Sequence, residues 1–237
     1  MLGRVRFADR EIGGARPRTL LAALLLDTNR MVTVDRLVDA LWDEEPPASA
    51  TANVRTHVWT LRRLIGDAAT LVSHPGGYEL VVPEDVCDLH LFTRSTDSGR
   101  AALAGGEPER ATRLLDRALG MWSTDRAAAD VPRHGWVAAR LTHLDEERRR
   151  TVEDFAESCL RLGEPRAALR GLAALLAVDP LRTRSWALRM RAHHLLGERG
   201  GVSETVREAT EAFREYLGSP LDGELVRLHE EICRGRS

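Results

Sequence analysis

The chain has 237 residues, 43% of them apolar and 30% charged, with a formal net charge of −2. That balance supports ordinary buried cores and excludes a histone-like coat on nucleic acid, which needs a broad basic excess. Apolar runs such as 20–26 are too short to span a bilayer, and arginines and acids between 4 and 11 interrupt any signal-like core, so a cytoplasmic protein with no membrane partner is expected. Cys87, Cys159 and Cys233 show no paired spacing, which predicts neither a disulfide frame nor a zinc site. All 34 basic residues are arginine, so no Walker A loop, with its obligatory lysine, exists in these residues.

Residues 4–12 read as a short hairpin, and Arg16, Pro17 and Arg18 open a helix with proline at a permitted first-turn position. Leu20, Leu21, Leu24 and Leu25 form its expected buried face, and it is predicted to stop near Asn29. A short β segment at 31–34 precedes a helix with Asp35 as the expected N-cap and Leu37, Val38, Leu41 and Trp42 on its apolar side. Pro46 and Pro47 force a turn before the stretch 49–65.

Val54, Val58, Leu61 and Ile65 in that stretch recur at helical spacing and define a buried stripe. At about 100° per residue, the opposite face carries Ala52, Thr56, Trp59, Thr60 and Arg63, flanked by Arg55 and Arg62. No acid occurs in the seventeen residues. Two β-rich runs around Pro75, Gly76 and Gly77 follow at 71–82 and predict a hairpin. A cationic helix followed by a hairpin is the reading helix and wing of a winged helix-turn-helix, built to enter the major groove of double-stranded DNA.

Arg63, nearest the centre of the outer face, is the expected base or phosphate contact, while Arg55 and Arg62 suit phosphate better. Thr56 and Thr60 are expected to bond phosphate or pack on a thymine methyl. Trp59 is expected to pack beneath the wing, with stacking on a sugar or base as the alternative. His74 and Gly76 at the wing tip are candidates to approach the DNA backbone, with a plain turn as the alternative, and Arg16 and Arg18 are further phosphate candidates.

Beyond residue 83 the hairpin signals end, and helices are predicted near 88–104, 107–122, 134–162, 165–178, 181–196, 202–217 and 221–234. Leu162, Gly163 and Glu164 recur as Leu196, Gly197 and Glu198, 34 residues on, which is the tetratricopeptide period. A similar string runs from Gly106 to Ala111, and the acids 145–147 followed by Arg148, Arg149 and Arg150 suggest i,i+3 and i,i+4 pairing. The fold class is therefore mainly α. A winged helix-turn-helix of the response-regulator output type (1–83) precedes an all-α, tetratricopeptide-like domain (84–237). Neither histidine spacing nor any nucleophile or dinucleotide motif points to an enzyme, a cofactor or a metal.

The chain resembles the Streptomyces antibiotic regulatory protein family, which pairs a winged helix with a helical bacterial transcriptional activator domain. The resemblance rests on the runs 16–26 and 34–42, on Asn29, Arg30, Pro46 and Pro47, and on Val54, Arg55, Thr56, Leu61, Arg62, Arg63 and Leu64. Pro75 and the run 77–80 extend it, as do Asp88, Leu89, Phe92, Gly99, Ala118, Leu119, Trp122, Trp136, Arg140 and Leu141. It implies a transcriptional activator of secondary-metabolite genes that binds tandem direct repeats in promoter DNA, self-associates on adjacent repeats and recruits RNA polymerase. His57, Trp59 and Thr60 stand where the family more often shows Tyr, Ser and Arg, and Ser73, His74 and Glu79 stand where arginine is common. These departures leave open an interaction scaffold with little DNA affinity, or a regulator that senses a small molecule on its helical surface.

Overall fold

The computed structural model describes residues 1–7, 10–43, 45–66 and 69–235. The expected turn at 8–9, and parts of the loops at 44 and 67–68, lie outside the described residues. The chain divides into two compact units, residues 1–94 with 120–147 and residues 95–119 with 148–237. No helix among the described residues is long and apolar enough to cross a membrane.

In the first unit, strands β1 (Arg6–Phe7) and β2 (Arg10–Glu11) pair antiparallel. Helix α1 (Ala15–Leu26) follows and is buried from Thr19 to Leu26. Burial is wider than the expected leucine face because α2 (Val34–Leu41), α3 (Ala50–Ile65) and strand β5 (Gly77–Val81) all pack on this helix. The N-cap of α2 is Thr33, whose side chain accepts from Arg36 N, and not the expected Asp35, which lies in the first turn. Thr33 has the extended backbone that an N-cap needs, whereas Asp35 is already helical.

Strand β3 (Met31–Thr33) pairs with β5, and β5 with β4 (Thr70–His74), giving the sheet order β3-β5-β4 with Val32 opposite Tyr78 and Val72 opposite Glu79. Gly77 permits the close approach, since a Cβ there would lie 2.6 Å from the Val32 carbonyl oxygen. Asn29 holds a left-handed φ of 60° at the α1–β3 turn. Its amide imitates a strand residue, donating to Val82 O (3.1 Å) and accepting from Val82 N (2.9 Å).

Residues 120–147 also belong to this unit. Ser123 N, Ala128 N and Ala129 N donate to the carbonyls of Leu2, Met1 and Gly3 at 2.9–3.0 Å. Trp136 donates its indole N–H to Arg36 O (2.9 Å) while the Arg36 guanidinium lies 4.2 Å over its ring. Asp27 pairs with both Arg36 and Arg140. Asp145, expected to pair locally, is buried instead, accepts from Ala127 N (2.7 Å) and pairs with Arg133 (2.8 Å).

The long helices are α4 (Asp88–Ala104), α5 (Pro108–Gly120), α6 (Gly135–Arg161), α7 (Pro165–Val178), α8 (Thr183–Leu195), α9 (Arg199–Leu217) and α10 (Gly223–Cys233). They match the expected positions closely, and the internal echo has a structural cause. Gly106, Gly163 and Gly197 take φ of 75°, 72° and 70°. In each case the following Glu N–H reaches back five residues, to Ala102, Cys159 and His193, at 2.9 Å. This is the Schellman closure, repeated at three helix-pair turns.

In the second unit, Trp186, Met190, Phe213, Leu225 and Leu228 anchor one core cluster, and Cys159, Leu172 and Leu188 another. Buried Glu153 accepts two bonds from Arg182 (3.0 and 2.8 Å) and one from Ser185 Oγ (2.7 Å). Asp154 receives Arg100 and Arg184, both at 2.7 Å. Buried charges need such complete pairing.

Candidate nucleic-acid interface

Helix α3 buries Val54, Val58, Leu61 and Ile65, and α1, α2 and β4 pack against it. The stripe read from the sequence is thus the anchoring face, and the helix turns its opposite side outward. Ala52, Arg55, Thr56, Trp59 and Arg63 are exposed, with Thr60 half-buried. The whole helix carries no acid, so nothing on it opposes the field of its arginines.

Trp59 departs from the expectation of packing beneath the wing, being 58% exposed. The Arg63 guanidinium lies 4.8 Å over its ring, one helical turn on. A cation held over an indole face restrains both side chains while leaving them open to solvent. Thr56 Oγ1 donates to Ala52 O (3.2 Å) and Thr60 Oγ1 to Thr56 O (3.0 Å). Their hydroxyl hydrogens are thereby committed, and they present lone pairs and methyl groups outward.

Arg62 has a different role from its neighbour. Its Nε and Nη2 both donate to Leu71 O (3.0 and 2.7 Å), and Nη2 also reaches Ser73 Oγ (2.8 Å). It ties the helix to the first strand of the hairpin. Among the described residues Arg55 makes no ion pair and stands free on the flank of the helix.

At the hairpin tip, Gly76 takes a φ of 82°, the left-handed value that the third position of a Pro-Gly type II turn requires. Its carbonyl accepts from Val34 N (2.9 Å), which fixes the turn against the start of α2. His74 Nε2 lies 2.7 Å from Glu79 Oε2, a clasp across the two strands. Arg16 is exposed on the first turn of α1, 5.2 Å from the Trp42 ring. Arg18 turns inward to Asp130 (3.2 Å) and is not part of the open cationic surface. Burial, with the Arg16 charge, lowers the His57 pKa from its ordinary value.

The surface thus joins Arg55, Thr56, Trp59, Thr60 and Arg63 on one helix face, with the 70–81 hairpin tethered beside it. Sequence reasoning missed the tethering role of Arg62 and the clasp of His74, because helical and strand periodicities place a residue on a face without showing its partner. It also missed the stacked Trp59–Arg63 pair, although the i,i+4 spacing could have suggested it.

This fold and surface define a winged-helix transcriptional regulator with an appended helical repeat domain. Two family models agree: "Transcriptional regulatory protein, C terminal" matches residues 13–80, and "Bacterial transcriptional activator domain" matches residues 87–233. Regulatory protein AfsR of Streptomyces griseus is 33% identical over 222 residues, covering 94% of this chain and 22% of that protein. Regulatory protein DnrI of Streptomyces peucetius is 30% identical over 230 residues, covering 92% of this chain and 84% of that protein. A solved structure of Mycobacterium tuberculosis EmbR in complex with a low-affinity phosphopeptide superposes with a TM-score of 0.86 at 31% identity, over 95% of this chain and 60% of that one. The chain belongs to the Streptomyces antibiotic regulatory protein family of transcriptional regulators. It spans about a fifth of AfsR and a little under three fifths of the EmbR regulator.

Proposed function

We propose that this protein is a sequence-specific transcriptional activator, and not an enzyme, acting on double-stranded promoter DNA in the cytoplasm. Helix α3 enters the major groove, and the β4–β5 hairpin rests on the flanking backbone. The single observation that carries this reading is the acid-free outer face of α3, with Arg55 and Arg63 exposed beside Thr56, Trp59 and Thr60. Arg63 supplies the bidentate geometry suited to guanine O6 and N7, and Arg55 and Arg16 suit phosphate.

Residues 1–83 carry the DNA-reading function in this proposal, and residues 84–237 mediate self-association on tandem direct repeats and contact RNA polymerase. Family membership supports secondary-metabolite genes as the targets. Selection of random duplex DNA by the purified protein tests the reading. Enrichment of a repeated motif, lost or altered with Arg63→Ala, is the expected result. An absence of enrichment at low and moderate salt would sink it.

A scaffold reading has one specific support: Arg62 and Arg18 are committed to internal partners, so few cations of this surface remain open. DNA affinity that falls steeply with salt opposes that alternative, because phosphate neutralisation releases counterions.

A further inference from the structure

The outward face of α3 carries methyl groups and an indole beside its arginines. Ala52 contributes a methyl group, and Thr56 and Thr60 have their hydroxyl hydrogens bonded to their own helix. Trp59 stands 58% exposed in the midst of these groups. An indole has one donor and no acceptor, so it is poorly equipped to read the hydrogen-bonding edge of a base. Its face suits an apolar group, and the one apolar group in the major groove is the C5 methyl of thymine.

The stack with Arg63 makes this more than an exposed aromatic. The guanidinium 4.8 Å over the ring holds the indole in place before any ligand arrives, and the indole in turn orients the guanidinium. The guanidinium and the ring lie 4.8 Å apart, between one and two base-pair steps of about 3.4 Å each. One stacked pair can therefore meet neighbouring base pairs, Arg63 a guanine and Trp59 a thymine beside it.

We infer that Trp59, stacked on Arg63, determines specificity by reading the 5-methyl group of a thymine next to the guanine that Arg63 contacts. This inference rests on the proposal that α3 reads DNA. Both Trp59 and Arg63 project outward from α3, so substituting Trp59 leaves the buried stripe intact and the melting temperature nearly unchanged.

The test replaces each thymine of the selected site by deoxyuridine, which deletes only the methyl group, and measures binding of the wild type and of Trp59→Ser. One position is expected to weaken wild-type binding about fourfold, the worth of burying one methyl-sized group. Trp59→Ser binds the thymine and uracil forms of that position equally. Arg63→Ala, by releasing the indole, reduces the discrimination without abolishing binding to the rest of the site.

Wild-type binding that is indifferent to uracil at every position overturns the inference and leaves the DNA-reading proposal standing. Discrimination that persists in Trp59→Ser also overturns it, and assigns the methyl contact to Thr56 or Thr60. A wild type that selects no duplex at all overturns both proposals.

Discussion

Asn29 offers a sharp test of how the wing is held. Substituting alanine removes the amide that both donates to and accepts from Val82, whose backbone continues β5. Two hydrogen bonds contribute about 1–3 kcal/mol together, and Val82 is only 5% exposed, so water replaces them poorly. Alanine must also hold the φ of 60° that Asn29 adopts, at a further cost of about 1–2 kcal/mol. The expected destabilisation is about 3.5 kcal/mol, summed at the middle of these ranges.

Asn29→Gly removes the same bonds without the backbone penalty, and so falls about 1 kcal/mol short of the alanine variant. Urea denaturation followed by tryptophan fluorescence is well suited to the measurement. Trp42, Trp59, Trp122 and Trp136 all lie in the unit that contains Asn29, and Trp186 alone in the other. A loss below about 1 kcal/mol for Asn29→Ala would refute the hydrogen-bond account. A glycine variant less stable than the alanine variant would refute the backbone account.

Arg55→Ala is expected to reduce the slope of log affinity against log salt by about 0.9, one released counterion. Arg62→Ala leaves that slope nearly unchanged and lowers protection of the β4 amides in hydrogen exchange, because its guanidinium holds Leu71 O; equal slopes for the two variants would contradict the division of roles. Burial raises the Glu157 pKa, but hydrogen bonds from Arg184 and Arg161 outweigh it and leave the carboxyl below its ordinary 4.5. A depressed folded value means that its stabilisation is complete above 4.5 and is lost as the pH falls through the lower folded value. Acid unfolding followed by circular dichroism should therefore lose part of its pH dependence in Glu157→Gln, and an unchanged acid limb would count against the pairing. Burial, with the charges of Glu164 and Asp116, pushes the Cys159 thiol up to about 11, and Cys87 is buried too. A thiol reagent at pH 8 should titrate one cysteine, Cys233, in the native protein and all three after unfolding; prompt native reaction of Cys159 would show the packing around it to be wrong.

The helices were largely legible in the sequence because most bury a stripe whose spacing repeats every turn, and the three glycine-closed turns repeat their residues along with their geometry. The outward face of α3 was legible for the same reason: once Val54 and Leu61 are assigned inward, the opposite residues follow by rotation. What stayed hidden was pairing that leaves no periodic trace. The run 120–131 joins the amino-terminal segment through backbone groups of Ser123, Ala128 and Ala129, which any side chains could accompany. Asp145 looked like one member of a local charge ladder, yet its partners are Arg133 and the Ala127 amide in the preceding loop. Trp59 misled because large aromatics are usually covered, and only the i,i+4 arginine hinted that this one need not be.

The hydrogen bonds of α3 divide its residues into those the fold requires and those it does not. Val54, Val58, Leu61, Ile65 and Arg62 hold the helix against the rest of its unit. Among the described residues, Ala52, Thr56, Trp59, Thr60 and Arg63 bond or stack with one another or with their own helix alone. On the proposed function, mutations at the second group change operator preference at little cost in folding, so a duplicated gene can wander through such preferences without first losing its structure. Regulators built on this plan would diverge by this route, with the helix serving as a fixed handle for an exchangeable key.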